Sequence, residues 1–282
     1  MSKTNNFSII IPAYNEEKLI ANKLHQLARS LPKECTEVIT VCNGCKDQTY
    51  SVAQNAINII THSGVTQCNF LLVQLIQGCK ITALNEGVKR SKNNTLILLD
   101  ADIKILGSEC AALVKILNSH SVMAASPKAL FNFNNASWLV KKFYSTVSKS
   151  SYNQQHRIAN VIALSPTAVD KLFPLPTVIA DDAYIQRTIT ETHYHVSSEL
   201  SYHFICPTTL LSTLKVQSRI IRGNLALKKR YPHLKAPKSY LPKLTVIDLA
   251  IFTSIKLMAL TIAYIEIKLN VKKWHQDETS RK

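Results

Sequence analysis

Two carboxylates, Asp100 and Asp102, stand one residue apart directly after an apolar run over residues 96–99. Four consecutive apolar residues predict a strand that is buried on both faces of a parallel sheet. Ligands of open α/β sheets bind beyond the carboxyl ends of the strands, so this pair is well placed to hold a divalent cation. Mg²⁺ and Mn²⁺ prefer carboxylate and water oxygens and are often shared with substrate phosphates. The alternative is that both side chains only cap the turn that follows.

Strand and helix patterns alternate along the chain around this pair. Strands are predicted over residues 7–11, 37–41, 70–75 and 95–99. Each is followed by a helical pattern after a short connection, which predicts a parallel, doubly wound α/β sheet. Asn15 or a neighbouring residue is predicted to cap the first helix, which would begin near Glu16. The polar segments that follow the strands are therefore expected to meet at one edge of the sheet.

The chain carries 34 Lys and Arg against 18 Asp and Glu, a formal net charge of +16. Such a balance favours anionic partners, among them nucleotide diphosphates and anionic lipid surfaces. No basic run is interleaved with aromatic residues in a nucleic-acid-binding motif, so we expect no nucleic acid partner. The seven cysteines lack the spacing of a disulfide framework or a zinc site, and we expect reduced thiols in a cytoplasmic protein.

The stretch over residues 249–265 is mainly apolar and carries one charge, Lys256. It is shorter than the about 20 residues that span a bilayer, and a lysine near its middle disfavours a span. Three readings remain open: a membrane span, a helix lying on an anionic membrane surface, and a helix docked on the protein. Basic residues flank it on both sides: Lys228, Lys229, Arg230, Lys235, Lys238, Lys243, Lys268, Lys272 and Lys273. We expect a catalytic domain over residues 1–230 and a helical C-terminal extension over 231–282.

Taken together, these segments resemble the family 2 glycosyltransferases, whose fold is the GT-A fold, over roughly residues 7–225. Four landmarks occur in the family's order, at residues 9–17, 42–49, 78–87 leading to 100–102, and 181–182. The second departs from the family pattern, because Cys42 stands where an Asp that binds the nucleotide base is usual. A thiol is a poor substitute for a carboxylate accepting from a ring N–H, so the identity of the base stays open.

The resemblance implies roles for individual residues. The nucleotide-sugar would be bound by Pro12, Ala13, Tyr14, Glu16, Cys42, Asn43, Lys80, Asp100 and Ala101. Asp102, with Asp100, would hold Mg²⁺ or Mn²⁺. The general base would be one of Asp181 and Asp182, with Asp182 favoured, and Arg219 and Arg222 would bind a phosphate or the acceptor.

The resemblance implies an inverting, metal-dependent transferase that moves a sugar from a nucleotide-diphosphate sugar to a glycan or lipid-linked acceptor. We expect it to act in cell-surface polysaccharide or glycolipid biosynthesis at the cytoplasmic face of the membrane. One alternative is a sugar-phosphate nucleotidyltransferase, although that class has a glycine-rich loop where residues 12–15 stand here. The other is an inactive relative that binds nucleotide or membrane. Cys42 favours that alternative, and the retained aspartates argue against it.

Overall fold

The computed structural model describes residues 6–269, in which seven strands form one mixed sheet of order β3-β2-β1-β4-β6-β5-β7. The strands are β1 Phe7–Ala13, β2 Cys35–Asn43, β3 Asn69–Leu75, β4 Leu96–Leu99, β5 Ala124–Asn132, β6 Val161–Leu164 and β7 Tyr194–Ile205. β1 pairs in parallel with β2 and β4, and β2 pairs in parallel with β3. β6 runs antiparallel to both β4 and β5. The α/β prediction is confirmed, with a parallel half of the sheet formed by the first four strands.

The helices are α1 Ile20–Ser30, α2 Thr49–Ser63, α3 Lys80–Arg90, α4 Gly107–Ser119, α5 Trp138–Ser148, α6 Pro166–Leu172, α7 Asp181–Ile189, α8 Leu210–Arg230 and α9 Val246–Lys268. A short π-helical turn, Tyr152–His156, follows α5. The sequence analysis did not predict α6. Ser165 caps it by accepting from the backbone N–H of Ala168, and Pro166 occupies its first turn, where a missing N–H costs nothing.

Continuous apolar sequence produces the central strands because both of their faces are covered. Ile9, Ile10 and Ile11 are fully buried, and every residue of β4 is buried. Burying one such side chain contributes roughly 1.5–3 kcal/mol, so these strands anchor the sheet. Their rigidity fixes where the polar segments after their carboxyl ends begin.

The beginning of α1 differs from the prediction. Asn15 does not cap the helix, which starts at Ile20, and Glu16 lies in the preceding turn. Asn15 has a positive φ of 53°, and its Oδ1 accepts a hydrogen bond from the backbone N–H of Lys46. A contact with a segment 31 residues away has therefore taken the side chain that local helix capping was expected to use.

The described chain forms two compact units. The first contains residues 6–127, 158–177 and 189–202, and the second contains residues 128–157, 178–188 and 203–269. The core of the second unit is built by α5, α8 and α9, with Val140, Phe143, Leu214, Ile255 and Ala259 buried in one cluster. The domain boundary at residue 230 stays a prediction. Lys272 and Lys273, with the end of the proposed extension, lie outside the described residues.

Candidate functional site

The parallel strands β1 to β4 bring the segments after their carboxyl ends to one edge of the sheet in the first unit. Tyr14 and Glu16 follow β1, and residues 44–48 follow β2. Residues 76–79 lead from β3 into α3, and Asp100 follows β4 directly. The sequence-predicted donor residues of this unit therefore gather where ligands of α/β sheets bind.

Three polar contacts join Asp100 to Lys80 and Asn160. Its Oδ1 lies 2.9 Å from Nζ of Lys80, and its Oδ2 accepts a hydrogen bond of 2.9 Å from Nδ2 of Asn160. The backbone N–H of Asp100 donates to the carbonyl of Asn160. Tyr202, which is buried, donates from its hydroxyl to Oδ1 of Asn160 over 3.0 Å. The carboxylate is thereby fixed by a chain of contacts that runs from β7 to the first residue of α3.

Asp102 is exposed, and Ala101 between the two aspartates is buried. Within residues 6–269, no three His, Cys, Asp or Glu side chains are grouped to hold a metal ion. A cation such as Mg²⁺ is often bound by one or two carboxylates, with waters and substrate phosphates completing its coordination. The donor set of Asp100 and Asp102 fits that mode of binding and does not fit an all-protein cage.

Lys23 is a residue that the sequence analysis missed. It lies on α1, is only 5% exposed, and its Nζ has no hydrogen-bond partner. Burial lowers the pKa of Lys23 to about 8, while the charges of Asp102, Asp100 and Glu16 act in the opposite direction. A desolvated ammonium group therefore lies in the electrostatic field of the carboxylate pair. Lys23 lies three residues after Ile20, on the apolar face of α1. This spacing was the signal in the sequence that the side chain would be buried.

The segments expected to bind the nucleotide meet closely at this edge. The Tyr14 ring packs on Gly78, where an added Cβ would lie 3.4 Å from the ring. Asn43 is buried, and its Nδ2 donates to the carbonyl of Ala13 over 2.8 Å. Pro12, Ala13, Glu16 and Cys42 are also buried. Tyr14, Lys80 and Asp100 are more accessible than these, since all three are partly exposed.

Two glycines allow the loops after β2 and β3 to touch. Gly44 has a positive φ of 64°, and a Cβ placed on it would lie 2.3 Å from the backbone N of Gly78. No side chain fits there, so the backbone of one loop packs directly against that of the other.

Cys42, near the end of β2, contacts Cys45 in the loop that follows. Their hydrogen bond lowers the pKa of Cys45 to about 6 and, together with burial, raises the pKa of Cys42. Sγ of Cys45 also lies 3.5 Å from the carbonyl oxygen of Ala13. Cys42 is fully buried, so a buried thiol stands at the position where an aspartate is usual in the family.

Asp181 and Asp182 belong to the second unit, where they are the first two residues of α7. Carboxylates in the first turn of a helix are stabilised by the helix dipole. Burial raises the pKa of Tyr152, and the charge of Asp182 acts in the same direction. Farther along α7, Gln186 donates to the carbonyl of His156, and Arg187 donates to Oδ1 of Asn224. Tyr152 is thus within electrostatic range of Asp182, and sequence reasoning did not single it out.

Arg219 and Arg222 lie on α8 in the second unit. Arg219 is partly buried, and its predicted role at a phosphate stays a prediction. Arg222 is 7% exposed, and its Nε lies 3.4 Å from Oε2 of Glu266 on α9. This contact gives Arg222 a structural role that the sequence analysis did not anticipate.

Asn160 and Tyr202 were also absent from the predicted site. Asn160 adopts a positive φ of 65°, which favours asparagine or glycine. It immediately precedes β6, and a polar residue ahead of an apolar run was the only signal in the sequence. Tyr202 had no local signal, because its hydroxyl reaches Asn160 across 42 residues of sequence.

Comparisons with known proteins agree with this architecture. The family model described as "Glycosyl transferase family 2" matches residues 8–169, more than half of the chain. No curated protein matches the sequence. Mannosyltransferase PcManGT from Pyrobaculum calidifontis, solved with GDP-Man and Mn²⁺, has a TM-score of 0.62 and 18% identity, covering 96% of this chain and 76% of that one.

Two further solved structures have the same fold at low sequence identity. TarS from S. aureus in complex with UDP has a TM-score of 0.54 and 16% identity, covering 95% of this chain and 75% of that one. Glucosyl-3-phosphoglycerate synthase from Mycobacterium tuberculosis, solved with Mn²⁺, UDP and glucosyl-3-phosphoglycerate, has a TM-score of 0.53 and 12% identity, covering 86% of this chain and 88% of that one. With its sheet order, its acidic pair after β4 and the family match, the chain belongs to glycosyl transferase family 2 and has the GT-A fold.

Proposed function

We propose that the protein transfers a sugar from a nucleotide-diphosphate sugar to a hydroxyl group of a glycan or lipid-linked acceptor, with inversion at the anomeric carbon. The observation that carries the proposal is the fixed Asp100 carboxylate, held by Lys80 and Asn160 at the edge of the sheet. A prearranged carboxylate and lysine suit a diphosphate with a bound cation, since little reorganisation is needed when the ligand arrives.

Asp102, with Asp100, would hold Mg²⁺ or Mn²⁺ in this reaction. When bound, the cation would offset the charge that develops on the leaving diphosphate. Lys80 would add a positive charge beside the same phosphates while it keeps Asp100 in place. Two solved structures of the same fold contain Mn²⁺ with a nucleotide, which supports a divalent cation without choosing between the two metals.

Tyr14 would stack on the base, and the ribose would lie near Asp100 and Glu16. Glu16 is buried, so a hydrogen bond to ribose would require it to become accessible when the nucleotide binds. The base stays open, because Cys42 replaces the usual carboxylate. The structures of the same fold contain GDP-Man in one case and UDP in two others, so both nucleotides are candidates.

The acceptor hydroxyl oxygen would attack the anomeric carbon as the bond from that carbon to the diphosphate oxygen breaks. Asp182, or its neighbour Asp181, would take the hydroxyl proton as general base. The acceptor would be met at the cytoplasmic face of the membrane, where we expect polysaccharide or glycolipid precursors to be assembled.

The test is nucleotide-dependent thermal stabilisation with UDP, GDP, CDP and dTDP, each with and without Mn²⁺. A ligand at 100 times its dissociation constant adds about 2.7 kcal/mol to the free energy of unfolding. We expect one nucleotide to stabilise the wild-type protein in the presence of Mn²⁺, and we expect Asp102→Ala to abolish that effect. Release of the same nucleoside diphosphate from its sugar conjugate, in the presence of acceptor, would then measure transfer.

The control is Asp170→Ala, which removes an exposed carboxylate from α6 in the same unit and should leave nucleotide stabilisation unchanged. Folded protein that responds to no nucleotide with metal would contradict the transferase proposal. Metal-dependent nucleotide binding without turnover would instead support the inactive-relative alternative.

A further inference from the structure

Helix α9 presents a face without charges along almost its whole length. Its 23 residues span about 34 Å, and by length and composition it is the one helix within residues 6–269 that is apolar enough to cross a membrane. Ile255, Ala259 and Ala263 are buried on one side. The exposed apolar residues are Val246, Ile247, Leu249, Leu257, Met258, Leu260, Tyr264, Ile265 and Ile267.

The charged residues of α9, apart from Lys268 at its end, contact α5 or α8 instead of facing outward. Nζ of Lys256 donates to Oε1 of Gln217 on α8 over 2.8 Å, and Lys256 also lies over the rings of Phe143 and Phe252. Near the two ends, Asp248 and Glu266 form ion pairs with basic residues of α5 and α8. These contacts hold the helix against α5 and α8 from its first turn to its last.

This docking argues against a helix that crosses the bilayer. If α9 spanned the membrane in its docked position, α8 would have to enter with it, and α8 carries Lys215, Arg219 and Arg222. Each such charge near the bilayer centre costs about 2.5–3.5 kcal/mol on insertion scales. A helix that lies in the interface with only its outer face among lipids avoids that cost, because the inward ion pairs stay with the protein.

The charges around α9 distinguish a lipid surface from a second copy of the chain. Lys235, Lys238 and Lys243 precede the helix and Lys268 ends it, and all four are exposed. A two-fold contact through α9 would bring these like charges together, whereas anionic headgroups attract each of them by about 1 kcal/mol.

We propose that α9 lies in the plane of an anionic membrane surface, with its uncharged outer face among the lipids and its charged residues retained by α5 and α8. This inference specifies how the enzyme would contact the membrane surface at which the proposed function places it, and it does not depend on transferase activity. Lipid binding is measured without donor or acceptor, so failure of one proposal leaves the other intact.

The first test is co-sedimentation of the full chain with vesicles of phosphatidylcholine alone or mixed with phosphatidylglycerol. We expect binding to the mixed vesicles that weakens as salt concentration rises, and little binding to phosphatidylcholine alone. The double variant Leu257→Glu, Leu260→Glu should bind at least about tenfold more weakly, because two exposed leucines no longer enter the interface.

The matched control is Ile59→Glu on α2, since Ile59 is 59% exposed and Leu257 is 58% exposed. The control should bind mixed vesicles like wild type. All variants change exposed side chains, and thermal unfolding would verify that each is folded.

A second measurement separates an in-plane helix from a span. Single tryptophans at Leu249, Leu257 and Tyr264, in a chain whose Trp138 and Trp274 are replaced by Phe, would be quenched by brominated lipids of different depth. Equal, shallow depths are expected. A much deeper Leu257→Trp, absence of binding to anionic vesicles, or a wild-type dimer dispersed by the double variant would each overturn the proposal.

Discussion

Nζ of Lys80 lies 2.9 Å from Oδ1 of Asp100, while the other oxygen of that carboxylate accepts from Asn160. The carboxylate is therefore oriented from two sides before a ligand binds. Since Lys80 is the first residue of α3 and Asp100 follows β4, the pair also ties a helix start to a strand end. A site arranged in this way is expected to lose affinity when either partner is removed.

Lys80→Met should lower the apparent affinity for the nucleotide, measured by thermal stabilisation, by at least about tenfold. The reason is the loss of a charge-assisted contact worth roughly 1.5–3 kcal/mol. Lys89→Met, which removes an exposed lysine from the same helix, is the control and should behave like wild type. Thermal shift titration with the preferred nucleotide and Mn²⁺ measures both. Equal affinities for the two variants would contradict a role for Lys80 at the diphosphate.

Asn160 combines a side-chain contact with an unusual backbone conformation, and two substitutions separate these contributions. Asn160→Ala and Asn160→Gly both remove the hydrogen bond to Asp100. The alanine variant should be less stable than the glycine variant by about 1 kcal/mol, because only glycine adopts the positive φ of 65° without strain. Urea unfolding gives both values. An alanine variant as stable as wild type would show that neither contribution matters.

Lys23→Met should increase the free energy of unfolding at pH 7, on the order of 3 kcal/mol at most. The folded-state pKa of Lys23 is about 8, below its ordinary value of 10.5, so the unfolded chain holds the proton more tightly. The penalty is therefore complete below pH 8, and wild-type stability rises with pH between 8 and 10.5. The advantage of the variant should shrink over that interval.

Urea unfolding of wild type and Lys23→Met at pH 7 and at pH 10 measures this difference. Lys18→Met is the control, because Lys18 is exposed just ahead of the same helix. A gain in stability that is equal at the two pH values would mean that the charge of Lys23 does not cause it.

Asp182→Asn should lower the rate of transfer by at least about 100-fold, as expected when a general base is lost, while nucleotide binding is retained. Asp181→Asn is the matched comparison, since it removes the adjacent carboxylate of the same helix turn. Steady-state rates with the preferred donor, and thermal shift with its nucleotide, separate the two effects. A larger loss in Asp181→Asn would transfer the proposed role to that residue.

The sequence predicted the buried strands well, because unbroken apolar runs such as residues 96–99 have few other ways to be buried. Strand order placed Asp100 at the edge of the sheet, and the resemblance to the family added Lys80 to the same site. The sequence did not predict that Asn15 would bind the loop after β2, or that Arg222 would pair with Glu266, since both contacts join segments far apart in the chain. Lys23 was overlooked because a lysine at an apolar helix position is usually taken to reach solvent.

The contact between Gly44 and Gly78 has a mechanical consequence. With no room for even a methyl group between them, the turn after β2 and the turn before α3 must shift together or separate completely. Asn43 precedes one glycine, and Lys80 follows the other by two residues. In the proposed function, a base that displaced the first turn would therefore also move the lysine beside Asp100, and the choice of nucleotide would be coupled to phosphate binding through two backbones in direct contact.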